Sequence, residues 1–110
     1  MSSQATQLLR GTLDVLVMKT LAGNELHGYA IADQIAQKTD GALGVEDGAL
    51  YQCLHRMEEK GWLDAAWGHA DNGKRAKFYR LTAAGRKQLQ AEQASWIRYA
   101  EAVFKVLQPA

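Results

Sequence analysis

The sequence predicts a mainly α fold with one small β-hairpin and a long helix at its C-terminal end. Three features carry that expectation. Apolar residues recur at helical spacing in three separate stretches before Gly61. Two strand-like runs then flank the pair Asn72-Gly73, a strong short-range hairpin signal. A last periodic stretch follows Thr82, a residue type well suited to capping it.

The first helix is expected from Gln7 or Thr12 to Ala22, with Leu9, Leu13, Leu16, Val17 and Leu21 on its buried face and Gly23-Asn24 ending it. The second spans His27 to Lys38 and draws its apolar content from Tyr29, Ile31, Ala32, Ile35 and Ala36; Thr39 to Gly44 reads as a turn. The third runs from Glu46 or Asp47 to Lys60, stopped by Gly61. It has a buried stripe of Leu50, Cys53, Leu54 and Met57 opposite a polar side of Gly48, Gln52, His55, Arg56 and Glu59. Strands are expected at Trp62–Trp67 and Ala76–Leu81, with Phe78 in the core, and a helix at Ala83–Leu107. Three short helices, a hairpin and a long helix make a winged helix-turn-helix followed by one long C-terminal dimerisation helix.

The last helix would be about 37 Å long, at about 1.5 Å per residue. Leu89, Trp96, Ala100, Val103 and Leu107 mark one of its faces. A body this small is not expected to cover that face, so a symmetric homodimer is expected through those five residues. Residues 1–82 and 83–110 are the two functional parts of one unit.

The chain has 110 residues, of which 47% are hydrophobic and 23% charged, which excludes a disordered or low-complexity protein. No apolar run approaches the roughly 20 residues needed to cross a bilayer. Met1–Gln7 lacks the basic-then-apolar pattern of a secretory leader. One cysteine fits a reducing compartment, so the expected location is the cytoplasm, without a membrane partner. The net charge of +1 hides an asymmetry. Residues 1–71 carry five Lys/Arg and ten Asp/Glu, whereas residues 72–110 carry eight and two. Lys74, Arg75, Lys77, Arg80, Arg86 and Lys87 lie in a stretch free of acids, which suits either an anionic partner or a solvated face.

Leu8-Leu-Arg-Gly-Thr-Leu-Asp-Val-Leu-Val-Met-Lys-Thr-Leu21 and His27-Gly-Tyr-Ala-Ile-Ala-Asp-Gln-Ile35 resemble the opening of the PadR-like family of bacterial transcriptional regulators. Gly48 to Leu63 resembles that family's recognition helix, and Asn72 to Gly85 its wing and the entry to its last helix. The resemblance covers Leu8 to Leu107 and points to the compact members with a single dimerisation helix. One departure stands out: Gln52 occupies a position where the family usually has proline.

The resemblance implies that the third helix enters the major groove of double-stranded DNA, that Tyr51 touches the DNA backbone, and that His27, Gly28 and Tyr29 serve capping and backbone contact. The residue chemistry agrees. Gln52 can pair with adenine through both ends of its amide, and Arg56 with guanine or a phosphate. Gly48 and Ala49 permit close approach, and His55 lies on the same polar side. Lys74, Arg75, Lys77 and Arg80 on the wing would neutralise phosphates. Strand alternation pairs Lys77 with Tyr79 and Phe78 with Arg80 on opposite faces, so at most one pair need touch DNA directly.

Trp96 has two readings. It packs in the dimer interface, or with Tyr99 it forms a platform for a small aromatic effector, as the resemblance to members that bind flat aromatic compounds implies. His27, His55 and His69 have no metal-ligand spacing, and Cys53 sits on a buried stripe. No catalytic motif occurs, so no enzyme activity and no cofactor are expected. The expected function is a homodimeric repressor reading an inverted repeat with half-sites about one helical turn apart. The alternatives are a winged-helix module that binds protein and no DNA, and a ligand sensor working at the dimer interface.

Overall fold

Apolar side chains from four helices and a sheet converge on one core, and the order of the elements follows from how each presents its share. The structure, a computed structural model, describes residues 3–109, with side chains from Gly11 onward. Helix α1 spans Ser3–Thr20, β1 Leu26–His27, α2 Gly28–Lys38, α3 Asp47–Glu59, β2 Leu63–His69, β3 Arg75–Leu81 and α4 Ala83–Leu107. From α1, Leu13, Val17 and Met18 enter the core with Leu21 just beyond it; α2 adds Ile31 and Ile35, and α3 adds Leu50, Cys53, Leu54 and Met57. The expected core residue Leu9 lies outside the described side chains. Among the described residues, no helix is long and apolar enough to cross a membrane.

The helix ends obey local chemistry. His27 caps α2 through its side chain, whose Nδ1 accepts the Ala30 N–H at 3.3 Å. Helix α3 stops because Gly61 takes φ +79°, a left-handed turn that brings the Trp62 N–H to the Met57 carbonyl and the Gly61 N–H to the Glu58 carbonyl. Thr82 caps α4 by accepting the Gly85 N–H at 3.0 Å.

The sheet has three antiparallel strands in the order β1-β3-β2, one more than the hairpin expected from the sequence. In the hairpin, Leu63 stands opposite Leu81 and His69 opposite Arg75. Residues 71–73 close it: the Gly73 N–H meets the Ala70 carbonyl, the Ala70 N–H meets the Lys74 carbonyl, and Gly73 alone there has positive φ. This is the three-residue loop with glycine in the left-handed position.

Strand alternation places Tyr79 in the core beside Leu81, whereas Phe78 is half-buried on the opposite face, edge-on to His27 at 5.2 Å. That corrects the expectation of a core Phe78. The sheet turns its Leu63, Tyr79 and Leu81 side toward the helices.

Helix α4 packs along α1 and reaches past the body, giving a long dimension of 55 Å against 29 and 26 Å. Its first two turns sit hard on the core. A Cβ on Gly85 would lie 2.1 Å from the Trp62 carbonyl oxygen, and Leu89 is only 7% exposed. Leu89 was expected at a dimer interface; it belongs to the chain's own core.

Candidate nucleic-acid interface

Burying Leu50, Cys53, Leu54 and Met57 fixes the roll of α3, and Gly48, Gln52, His55 and Glu59 are left exposed on its outer side. His55 and Glu59, one turn apart, approach to 3.6 Å. Ala49 packs half-buried against the core, not on the outer face. Tyr51 is half exposed and lies across the first turn of α2. Glycine at position 28 permits this, since a Cβ there would be 2.5 Å from the Tyr51 hydroxyl oxygen.

Arg56 is drawn away from the exposed stripe of α3. Its guanidinium donates to Asp14 Oδ1 on α1, and the Cys53 thiol donates to that same oxygen at 3.1 Å. The Asp14 side chain is largely buried and that of Arg56 about a quarter exposed. Burial first, and the Asp14 hydrogen bond second, push the Cys53 thiol well above its ordinary range. The thiol therefore stays protonated at neutral pH and is a weak nucleophile. The expected guanine or phosphate reader thus has an intramolecular partner that sequence spacing did not reveal.

On the wing, one face carries Tyr79, Lys77 and Arg75 from β3 and, through the register Trp67 opposite Lys77, the Trp67 ring from β2. That face borders an open cleft of ≈ 580 Å³, closed on the other side by Tyr29 and Tyr51. Lys74 lines the cleft too, where its backbone N–H donates to the Asn72 side chain at 3.0 Å. Among the described residues, no carboxylate lines it. The structure therefore brings together Tyr29, Tyr51, Lys74, Arg75 and Lys77 of the expected residues, with Gln52 and His55 exposed on the adjoining helix.

It does not bring Arg80 to them. Arg80 points from the opposite face of the wing and pairs with Asp64 at 3.4 Å. Lys77 Nζ reaches Glu58 Oε1 at 3.1 Å, which holds the ammonium above its usual pKa, and also stands over the Tyr79 ring. Trp67 was missed in the sequence. It is 59% exposed, with the Arg75 guanidinium 4.4 Å from its ring centre. Only the strand register signals that pairing.

Past Leu89, α4 leaves much apolar surface uncovered: Trp96, Ile97, Tyr99, Phe104, Val106 and Leu107 are all exposed, whereas Ala100 and Val103 are half-buried. Trp96 is anchored by its indole N–H, which donates to Thr12 Oγ1 at 3.1 Å. Its ring and Tyr99 face a shallow groove shared with Thr12, Val15 and Glu92. Among the described residues, no cluster of three or more His, Cys, Asp or Glu could hold a metal ion.

Residues 17–91 match the model of the transcriptional regulator PadR-like family. A transcriptional regulator from Clostridium thermocellum superposes with a TM-score of 0.83 at 24% identity, over 93% of this chain and 99% of that one. A PadR-family transcriptional regulator from Eggerthella lenta superposes with a TM-score of 0.76 at 31% identity, over 98% and 92%. An uncharacterised protein X of Lysinibacillus sphaericus is 26% identical over 98 residues, covering 89% of this chain and 90% of the relative. A winged fold with an exposed polar third helix and a basic wing cleft agrees with these likenesses, and the chain belongs to the transcriptional regulator PadR-like family, whose members are transcription factors and not enzymes.

Proposed function

We propose that the protein is a homodimeric repressor that reads an inverted-repeat operator, residues 1–82 recognising DNA and 83–110 joining the two copies. Helix α3 enters the major groove with Gly48 at its start and offers Gln52 and His55 to base edges, while Tyr29, Tyr51, Lys74, Arg75 and Lys77 hold the flanking backbone. The observation that carries this is the cleft between wing and helix, lined among the described residues by cations and aromatic rings and by no carboxylate. The gathering of Lys74, Arg75 and Lys77 around one cleft favours a polyanion.

The second copy covers the outer face of α4, where Trp96, Leu107 and their exposed neighbours stand in water. Ala100 and Val103 continue the same surface. The two-fold axis of such a pair sets the half-site spacing at about one helical turn. The groove beside Trp96 and Tyr99 takes a flat aromatic effector. Glu92 at its wall disfavours an aromatic anion, so the effector is neutral or cationic. Binding there shifts the angle between the two recognition helices and lowers operator affinity.

Selection from random duplex DNA with the purified protein tests this directly. The expected result is an enriched inverted repeat, weakened by Gln52→Ala. Its affinity should fall with salt at a slope of about −3.6 or steeper, since a dimer that places Lys74 and Arg75 on four phosphates contributes about −0.9 for each. Adding neutral or cationic flat aromatic compounds to the complex should release DNA, and Trp96→Ala should abolish that release. Retention of every sequence alike, with no dependence on Gln52, would reduce the reading to unspecific DNA binding. No retention even at low salt would favour the protein-interaction module.

A further inference from the structure

The wing's cations are of two kinds. Lys77 gives its ammonium to Glu58 and Arg80 its guanidinium to Asp64. Among the described residues Arg75 has no carboxylate partner; its neighbour is the Trp67 ring. The difference matters for a polyanion. A cation tied to a carboxylate must give up that pair to meet a phosphate, and its charge is already compensated. A cation lying on an aromatic face keeps its full charge and its N–H donors.

Trp67 itself needs an explanation. More than half of its surface is in water, and it takes no part in the core. Its place in the hairpin supplies one. Trp67 stands opposite Lys77, and Arg75 lies two residues before Lys77 on that face of β3, so the ring and the guanidinium are diagonal neighbours across the ladder. Both line the cleft that Tyr29 and Tyr51 face.

We propose that Trp67 is a positioning residue of the wing: its indole holds the Arg75 guanidinium extended along the cleft, so that the arginine meets the DNA backbone already ordered. A free arginine on a wing loses much rotamer freedom when it engages a phosphate, and one held flat on a ring loses less. The gain is in affinity and is blind to base sequence, because a phosphate contact carries no sequence information. The assignment rests on the DNA-binding reading above.

The test uses the full chain and the selected operator, with affinity measured at several salt concentrations. Trp67→Ala should weaken binding by about three- to fivefold, the scale of an exposed cation–π interaction. Trp67→Phe, which keeps an aromatic face, should recover most of that loss. Arg75→Ala should weaken binding and flatten the salt slope by about 0.9 for each phosphate it no longer neutralises. In the Arg75→Ala background, Trp67→Ala should add nothing. Thermal midpoints of the Trp67 variants should match the parent, because the ring is exposed. Two results would overturn the proposal with the DNA-binding reading intact: Trp67→Ala binding as tightly as the parent, or the same loss with and without Arg75. A parent protein that retains no duplex overturns both together.

Discussion

Replacing Gly85 with alanine is expected to lower folding stability by about 3 kcal/mol, the upper end for forcing a methyl group into a filled site. The thermal midpoint should fall by roughly 15 °C for a domain of this length. The methyl would stand 2.1 Å from the Trp62 carbonyl oxygen and 2.9 Å from a Leu81 methyl. Backbone cannot yield as a flexible side chain can. That carbonyl is also held by the Thr82 N–H at 3.0 Å, while the Thr82 hydroxyl donates to the Gly61 carbonyl at 2.7 Å. These bonds clamp the start of α4 to the turn that ends α3. The substitution must therefore open the clamp or tilt α4, and either costs packing around Leu89. Thermal and denaturant unfolding would measure it, with Gly23→Ala as the control, since a Cβ there meets nothing within 4 Å. Equal midpoints for the two variants would show that the α3–α4 junction is soft.

That junction also shows why the helices were legible and the sheet less so. Thr82 is a cap by residue type, Gly61 a stop by residue type, and the apolar spacing within each helix fixes period and face. Each signal is local, and the end of α3 and the start of α4 follow from them. Strand β1 has two residues, too few for any alternation to register, and it exists because β3 offers it a free edge. Alternation in β3 separates Phe78 from Tyr79 without saying which faces inward. The register with β2 decides that, and it is a tertiary fact. The α4 stripe misleads for a related reason. Spacings of three, four and seven look alike whether the partner is the chain's own core or a second copy. Leu89, two turns from the cap, meets the core; Trp96, bonded to Thr12 of α1, and most of the apolar residues after it stay exposed.

The candidate interface divides in the same way. Exposure of Gln52 and His55 followed from the buried stripe on their own helix, so sequence sufficed. The partners of the cations did not follow, because each lies on another element. Arg56 meets Asp14 on α1, 42 residues away, Lys77 meets Glu58 on α3, 19 residues away, and Trp67 meets Arg75 across the hairpin. Counting charges along the chain gave a basic wing correctly, yet two of its cations are compensated by acids from the chain's other half. The cleft is more selective than the composition: it gathers Lys74 and Arg75 with the Glu58-paired Lys77 and leaves Arg80 behind.

Removing Asp14 separates structural from recognition roles at a carboxylate that Arg56 and Cys53 share. Asp14→Ala should cost about 2 kcal/mol: less than the roughly 3–5 kcal/mol for orphaning a fully buried partner, because Arg56 can swing toward water. The Cys53 thiol loses its acceptor in the same step, which adds to the cost. Arg56→Ala should be comparably destabilising, since it leaves the Asp14 carboxylate, of which only 13% of the side chain is exposed, without its counter-charge. The double variant should be nearly as stable as the worse single one, for the second truncation removes the orphan that the first created. Simple addition of the two losses would mean that the pair contributes nothing as a pair. DNA affinity, measured below the melting range of each variant, then assigns the guanidinium. If the ion pair only seats α3 against α1, both single variants weaken operator binding together. If Arg56 exchanges Asp14 for DNA on binding, Asp14→Ala releases it and affinity rises, whereas Arg56→Ala lowers affinity and flattens the salt slope. The expected result is the first. Arg56 leaves the exposed side of α3 to Gln52 and His55, and a charge-assisted bond to a buried carboxylate is among the strongest hydrogen bonds a protein makes.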